Sequence, residues 1–363
     1  MGSSIREIAR LAGVSTGTVS LALQGHPRIS AECRERIAAI ARELDYVPSS
    51  LGRSLQSGRS GLVGYLLSSV QRSFYSDLLQ GIGQSLSARG QGLLLAVTSE
   101  NPDEEALQLR LFREKAIDGL ILSNHVAESV PMIARMREEG IPVVVCDYEP
   151  YAPDLPTVAM DETAAAALLV RHLAELGHTR FAFGCPFNRN GENRLGAIRQ
   201  ALSELGLPPP AVAMEEEHLL ALASDRTSAD APTAILCYSD HMARQLLQGL
   251  RERGVRCPED VSVTGYDDME FSAWAGIELT TIRQPKRAMG EMAVELLLAQ
   301  PGFGKRKAAR AADGVGIPRT PDSTGSPRKP DAVQMAPVAP ELVVRRSTGP
   351  APDGMRVDGD PQA

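Results

Sequence analysis

The 363-residue chain reads as an N-terminal all-α helix-turn-helix headpiece followed by an α/β core of two Rossmann-like subdomains. Three observations carry this reading. The first 47 residues hold short helical patterns interrupted by a glycine turn, whereas from Leu62 onward apolar runs of strand length alternate with helical stretches, and that alternation occurs twice in tandem. Charge divides the chain at the same place. Residues 1–60 contain eight arginines and no lysine against five acids, a net +3, while the whole chain carries -7, so the remainder is -10. A basic head on an acidic body suits a chain of which one part meets phosphates and the rest does not.

In the headpiece, residues 1–47, Ser4 and Glu7 have the spacing of a capping box and predict a helix start. Ile5, Ile8, Ala9 and Ala12 keep helical spacing, and Gly13 supplies the left-handed residue that ends the helix. Ser15 is placed to cap a second helix over Thr16 to Leu23, with Val19 and Leu23 inward, and Ser30 to cap a third that buries Ile37, Ile40, Ala41 and Leu44. This is helix-turn-helix spacing.

The run IREIARLAGVSTGTVSLALQGHPRIS, continuing through DYVPSSLGRSL, resembles the DNA-binding headpiece of the lac repressor (LacI/GalR) family of bacterial transcription regulators. The resemblance implies that the second helix enters the major groove of double-stranded DNA and reads bases from Thr16, Gly17 and Leu21. Thr16 is the hydrogen-bonding candidate among them, Gly17 has no side chain, and Leu21 offers apolar contact to a thymine methyl. Thr18, Ser20 and Arg28 fit phosphate contacts, which position the helix without reading sequence, and Ser15 is expected among the DNA-binding residues.

A hinge over 48–60 follows, too short and polar for a stable isolated helix, so it is expected to order only on DNA. By resemblance, two such hinges pair on a palindromic operator, with Arg53 among the DNA-binding residues and Leu55 wedged into a minor-groove step. That requires a homodimer.

The core is expected over 61–349. LVGYLLS, LLLAV, GLILS and VVVCD alternate with helices Leu78 to Ala88, Leu107 to Lys115 and Ile133 to Glu139. A second set follows from Asp161: the helix TAAAALLVRHLAEL, then FAFGC, the helix Leu195 to Leu205, TAILCY, the helix Met242 to Arg253, and SVTGYD. After LTTIRQP the helix Arg287 to Ala299 returns to the first half, and ELVVRR to the second. The expected subdomains are therefore 61–160 with 286–300, and 161–283 with 338–349. Residues 301–337, rich in Pro, Gly and charge, read as a disordered insertion, and 350–363 as a disordered tail.

This body resembles the family's effector-binding core, related in fold to periplasmic sugar-binding proteins. Parallel sheets bind ligands at the carboxyl ends of their strands, so two facing halves make a cleft. By match to family positions, Phe74, Tyr75, Arg189, Arg194, Asp240 and Asp267 are expected to line it, with arginine forks and carboxylates suited to a sugar or a related metabolite. Asp147 and Asp161 are read as structural caps. Trp274, the single tryptophan, is placed at the subdomain surface, and the stretch from His218 to Ala231 is shorter than the family's.

Other classes fit less well. Cys33, Cys146, Cys185, Cys237 and Cys257 are odd in number and never closer than 20 residues, which suits neither disulfides nor a metal site. No catalytic motif, phosphate loop or cofactor fingerprint is present, and no cofactor is expected. No apolar run is long enough to span a membrane. The N-terminus MGSSIREIAR lacks a secretory pattern, so the chain is expected in the cytoplasm. The competing readings are a solute-binding protein or an enzyme built on the same core without DNA binding. The combined pattern favours a ligand-responsive, DNA-binding repressor.

Overall fold

The structure is a computed structural model describing residues 4–23, 25–46, 59–70, 73–99, 101–123, 125–146, 154–186, 188–225, 228, 230–303 and 335–352. Three helices build the headpiece: α1 (Ile5–Ala12), α2 (Thr16–Leu23) and α3 (Ala31–Glu43). Their starts follow the caps. Ser4 Oγ accepts from the Glu7 amide at 3.3 Å, Ser15 Oγ from the Thr18 amide at 3.0 Å, and Ser30 Oγ from the Cys33 amide at 3.3 Å. Gly13, at φ 64, makes the turn between α1 and α2 in a conformation a side chain disfavours. Ile8, Val19 and Ile37, one from each helix, are fully buried and form the centre of the small core.

The first core half contains β1 (Leu62–Leu67), α4 (Ser73–Ser87), β2 (Gly92–Val97), α5 (Pro102–Glu114), β3 (Gly119–Ser123), α6 (Val130–Glu138), β4 (Val143–Cys146) and β5 (Thr157–Met160). The second contains α7 (Glu162–Glu175), β6 (Phe181–Gly184), α8 (Arg189–Glu204), β7 (Ala211–Ala213), α9 (Glu216–Ser224), β8 (Ala234–Cys237), α10 (Asp240–Glu252), β9 (Ser262–Asp267) and β10 (Thr280–Arg283). The chain then returns to the first half as α11 (Lys286–Ala299) and β11 (Met335–Val338), and ends in the second as β12 (Glu341–Val343).

The two six-stranded sheets have matching orders, β11-β5-β4-β3-β1-β2 and β12-β10-β9-β8-β6-β7. Every pairing in the first is parallel; in the second, β12 runs antiparallel to β10. Continuous apolar strands such as Val143–Cys146 and Ala234–Cys237 are buried throughout, as helices on both faces require. Among the described residues, no helix is long and apolar enough to cross a membrane.

Helices begin earlier than apolar spacing predicts. α5 starts at Pro102 behind the cap Asn101, α8 at Arg189 behind Asn188, and α10 at Asp240 behind Ser239. First turns are polar and capped, so hydrophobic periodicity does not register them.

The expected 301–337 insertion is narrower at both ends. Phe303 packs on the first-half core, and Met335–Val338 form β11 in register with Thr157–Met160. The middle, 304–334, lies outside the described residues. The tail is also corrected at its start: Ala351 is buried and its amide donates to the Leu176 carbonyl at 2.8 Å.

Where the hinge joins the core, the buried Asp118 carboxylate accepts the Ser60 amide at 3.0 Å and the Gly61 amide at 2.9 Å, while Arg59 Nη2 donates to the Phe303 carbonyl at 3.3 Å.

Candidate functional site

Two surfaces qualify, one on the headpiece and one between the core halves. On the headpiece, Val19 and Ala22 turn α2 inward, leaving Ser15, Thr16 and Gly17 exposed and Thr18, Ser20 and Leu21 half-buried beside them. Arg28 is exposed on the following loop, which Arg34 braces by donating to the Gly25 carbonyl at 3.3 Å. Ser15 and Thr18 hydroxyls lie 2.9 Å apart, so both help to hold the start of α2 as well as facing outward. The outward face is thus small, polar and neutral at its tip, with arginine beside it. Arg53 and Leu55 lie outside the described residues, as does Asp147.

Between the halves, a cavity of about 470 Å³ opens where β10 passes into α11. Its walls include Asp77 from α4, Asp267 and Asp268 from the end of β9, and Gln284 and Lys286 from the crossing itself. Asp267 and Asp268 hold left-handed backbone at φ 116 and φ 48, a strained pair that turns the chain out of the strand end. Gln284 Nε2 donates to Asp267 Oδ1 at 2.6 Å. Burial pushes the Asp267 carboxyl up to about 7, and the nearby Arg194 and Lys286 only partly offset it. Asp268 is held low by Arg345 and Arg283, which flank it with donor contacts at 2.6 and 2.7 Å.

Of the six expected effector contacts, Asp267 alone lines this cavity. Asp240 is corrected: it is fully buried, and its oxygens accept from the Met269 amide at 2.7 Å, Ser272 Oγ at 2.6 Å and Thr281 Oγ1 at 2.6 Å. It holds the loop after β9 and has no face towards a ligand. Arg194 lies outside this lining and is engaged within the second half. Its Nε and Nη2 grip Glu162 at 3.0 and 2.9 Å, Nη1 donates to the Tyr238 carbonyl at 2.5 Å, and its plane stacks 3.3 Å from the Tyr266 ring centre. Phe74 and Tyr75 are buried in the first-half core, edge to face at 5.2 Å, with the Phe74 ring turned towards Lys286. Arg189 is exposed at the start of α8, close enough across the halves to help burial keep His125 neutral, with a pKa near 4. Asp161 caps α7, accepting from the Ala164 amide at 2.9 Å, and Trp274 is exposed at the surface.

Sequence reasoning missed Gln284, Lys286 and Asp77. The signal lay in QPK at the carboxyl end of LTTIR, since strand ends are where such sheets bind ligands. Among the described residues, no group of His, Cys, Asp and Glu could hold a metal ion.

Residues 4–49 match the model of bacterial regulatory proteins, lacI family, and 170–348 that of a periplasmic binding protein-like domain. The chain is 30% identical over 306 residues to the HTH-type transcriptional repressor PurR of Aliivibrio salmonicida (strain LFI1238), spanning 82% of this chain and 91% of that one. The chain belongs to the lacI family of bacterial regulatory proteins. It is a DNA-binding transcription regulator. A lac repressor dimer bound to operator and the anti-inducer ONPF superposes with a TM-score of 0.77 at 22% identity, covering 96% of this chain and 100% of that one, which shows the shared fold. A transcriptional regulator CelR–cellobiose complex matches at 25% identity with a TM-score of 0.62, over 95% and 99% of the two chains. Family membership covers both the headpiece and the paired sheets, so neither a solute-binding protein nor an enzyme accounts for the whole chain.

Proposed function

We propose that this lacI-family regulator is a repressor that binds a palindromic operator in the cytoplasm as a homodimer, and that a small molecule held between its core halves changes its operator affinity. One observation carries the reading: an exposed reading helix is joined through the Asp118 clamp to the half whose α11 also walls the cavity. A ligand that prefers one arrangement of the halves shifts the population of that arrangement, and with it the placement of the headpiece. Two-fold symmetry suits a helix that reads only a few base pairs. The edge strand β2 supports a second copy, because Leu95 and Val97 are 43% and 39% exposed on a strand whose outer side is unpaired among the described residues.

Gel shift with DNA from upstream of its own gene, paired with sedimentation, tests this. The expected result is a dimer on DNA whose affinity falls steeply from low to physiological salt. Leu55→Ala should weaken that binding and leave thermal unfolding in place, since the proposed wedge touches only DNA. A monomer on DNA, or salt-independent affinity, overturns the proposal.

A further inference from the structure

Two cations are buried around the crossing between the halves, and they are satisfied very differently. Arg194 places all three guanidinium nitrogens on oxygen acceptors. Lys286, the first residue of α11, is 6% exposed, and its ammonium has no such set. Its hydrogen bond goes to the Met269 thioether at 3.9 Å, a weak acceptor, and Asp77 Oδ2 stands off at 4.0 Å. The Phe74 ring centre is 5.7 Å away. An ammonium has three donors and is costly to bury without partners.

Beyond the ion pair with Asp77, the neighbouring carboxyls do not supply them. Asp268 is engaged by Arg283 and Arg345, and Asp240 by Met269, Ser272 and Thr281. Asp267 is bonded to Gln284, and its affinity for a proton, with a pKa near 7, weakens it as a fixed counter-charge. A second feature points the same way: Pro285 precedes α11, and no side chain caps its first turn. The positive end of a 14-residue helix therefore lies beside the ammonium, on the wall of the cavity.

We propose that Lys286 and the open first turn of α11 receive a carboxylate of the ligand, making the effector a hydroxylated carboxylic acid rather than a neutral sugar. This rests on the cleft reading above and adds the ligand's charge. Asp267, Gln284 and Asp77 supply acceptors and an amide for hydroxyl groups on the rest of the molecule. A single negative charge fits better than a phosphate dianion, because the four acids that line the space, Asp77, Asp267, Asp268 and Glu291, outnumber its three cations, Arg283, Lys286 and Arg287, and would repel the second charge.

The test uses the full chain and matched probes, D-glucuronate against D-glucose and D-gluconate against D-sorbitol, with inorganic phosphate as the dianion. Calorimetry and thermal unfolding read binding, and operator gel shifts read the response. At least one acid should bind at least about tenfold more tightly than its neutral partner. Lys286→Met, which can pack against Met269 and Phe74, should erase that preference while keeping operator binding, and Lys286→Arg should retain it. If the methionine variant fails to fold, Lys286→Gln replaces it. Equal or tighter binding of the neutral partners, binding of phosphate alone, binding of no acid, or a preference that survives loss of the lysine charge overturns the assignment. A neutral probe that binds and changes operator affinity would do so while leaving the cleft reading intact.

Discussion

The two core halves share a strand order and differ in what fixes their interiors. In the second half, charged groups tie loops to strands: Arg194 joins α8 to Glu162 on α7 and to the loop after β8, Asp240 joins α10 to β10 and the loop after β9, and Asp268 joins Arg283 to Arg345 near the chain's end. The first half relies on apolar contact and close backbone approach. Its buried polar groups are mostly hydroxyl relays such as Tyr65 to Ser123 to the Cys146 carbonyl, with Glu105, Asp118, His125 and Lys286 as the titratable exceptions. α4 and α11 cross at glycines, where a Cβ on Gly290 would meet the Leu78 carbonyl at 2.5 Å and one on Gly81 the Arg287 carbonyl. A network of directed bonds sets loop positions around a binding face, whereas a glycine crossing sets how near two helices lie. The same strand order therefore gives a wall tied by directed bonds on one side of the cavity and one set by close helix packing on the other.

The largest effect expected from breaking this contrast is in the charged half. Arg194→Met strands the Glu162 carboxylate and should destabilise the core by about 3–5 kcal/mol in urea unfolding, with the Arg194→Met/Glu162→Gln pair recovering part of the loss. A cost below about 1 kcal/mol would mean that the network does not frame that half. Next comes the crossing. Gly290→Ala should cost about 3 kcal/mol, the upper part of the overpacking range, because the obstacle is backbone rather than a movable side chain. An unchanged unfolding midpoint would show that the helices separate freely.

Acid sharpens the comparison further. His178 is buried between Thr233 Oγ1 at 2.9 Å, Ser262 Oγ at 3.0 Å and the Gly349 carbonyl at 3.0 Å, and burial lowers its pKa from 6.5 to about 4. The fold favours the neutral ring, so its contribution is complete above pH 6.5 and is lost as pH falls towards 4. Unfolding followed across that window should show an acid-dependent loss that His178→Gln reduces, buried His125 supplying the remainder, and identical pH profiles would refute this. The smallest change lies in the headpiece. Gly17→Ala places a methyl 3.6 Å from Ser15 Oγ and nothing closer, so it should stabilise α2 by up to about 1 kcal/mol, read as a higher headpiece melting temperature.

Much of this was legible in the chain itself, for identifiable reasons. Val143–Cys146 and Ala234–Cys237 are uninterrupted apolar runs, and only a strand covered on both faces needs those. β5, β7 and β11 escaped notice, being three or four residues long and mixed in character. At the site, Asp267 could be placed because a strand end is a local property. The partners of Arg194 and Asp240 could not, since Glu162 and Thr281 lie 32 and 41 residues away and nothing local shows that those side chains are already engaged. Lys286 reads as an ordinary surface lysine until tertiary packing buries it.

The Asp118 clamp also acts as the fixed post of a leash. By holding the Ser60 and Gly61 amides, it sets the point from which free contour is counted, and 13 residues separate Ser60 from Tyr46 at the end of the headpiece. At roughly 3.5 Å per residue, the headpiece can never lie more than about 50 Å from its post, whatever the intervening chain does. In the proposed dimer, once one headpiece has docked on DNA, the other searches only the volume its leash allows, so its effective concentration at a second half-site is set by that length. Releasing the two clamped amides would pay out about 7 Å more and dilute it. A single carboxylate in the core thus limits how far the headpiece can reach from it.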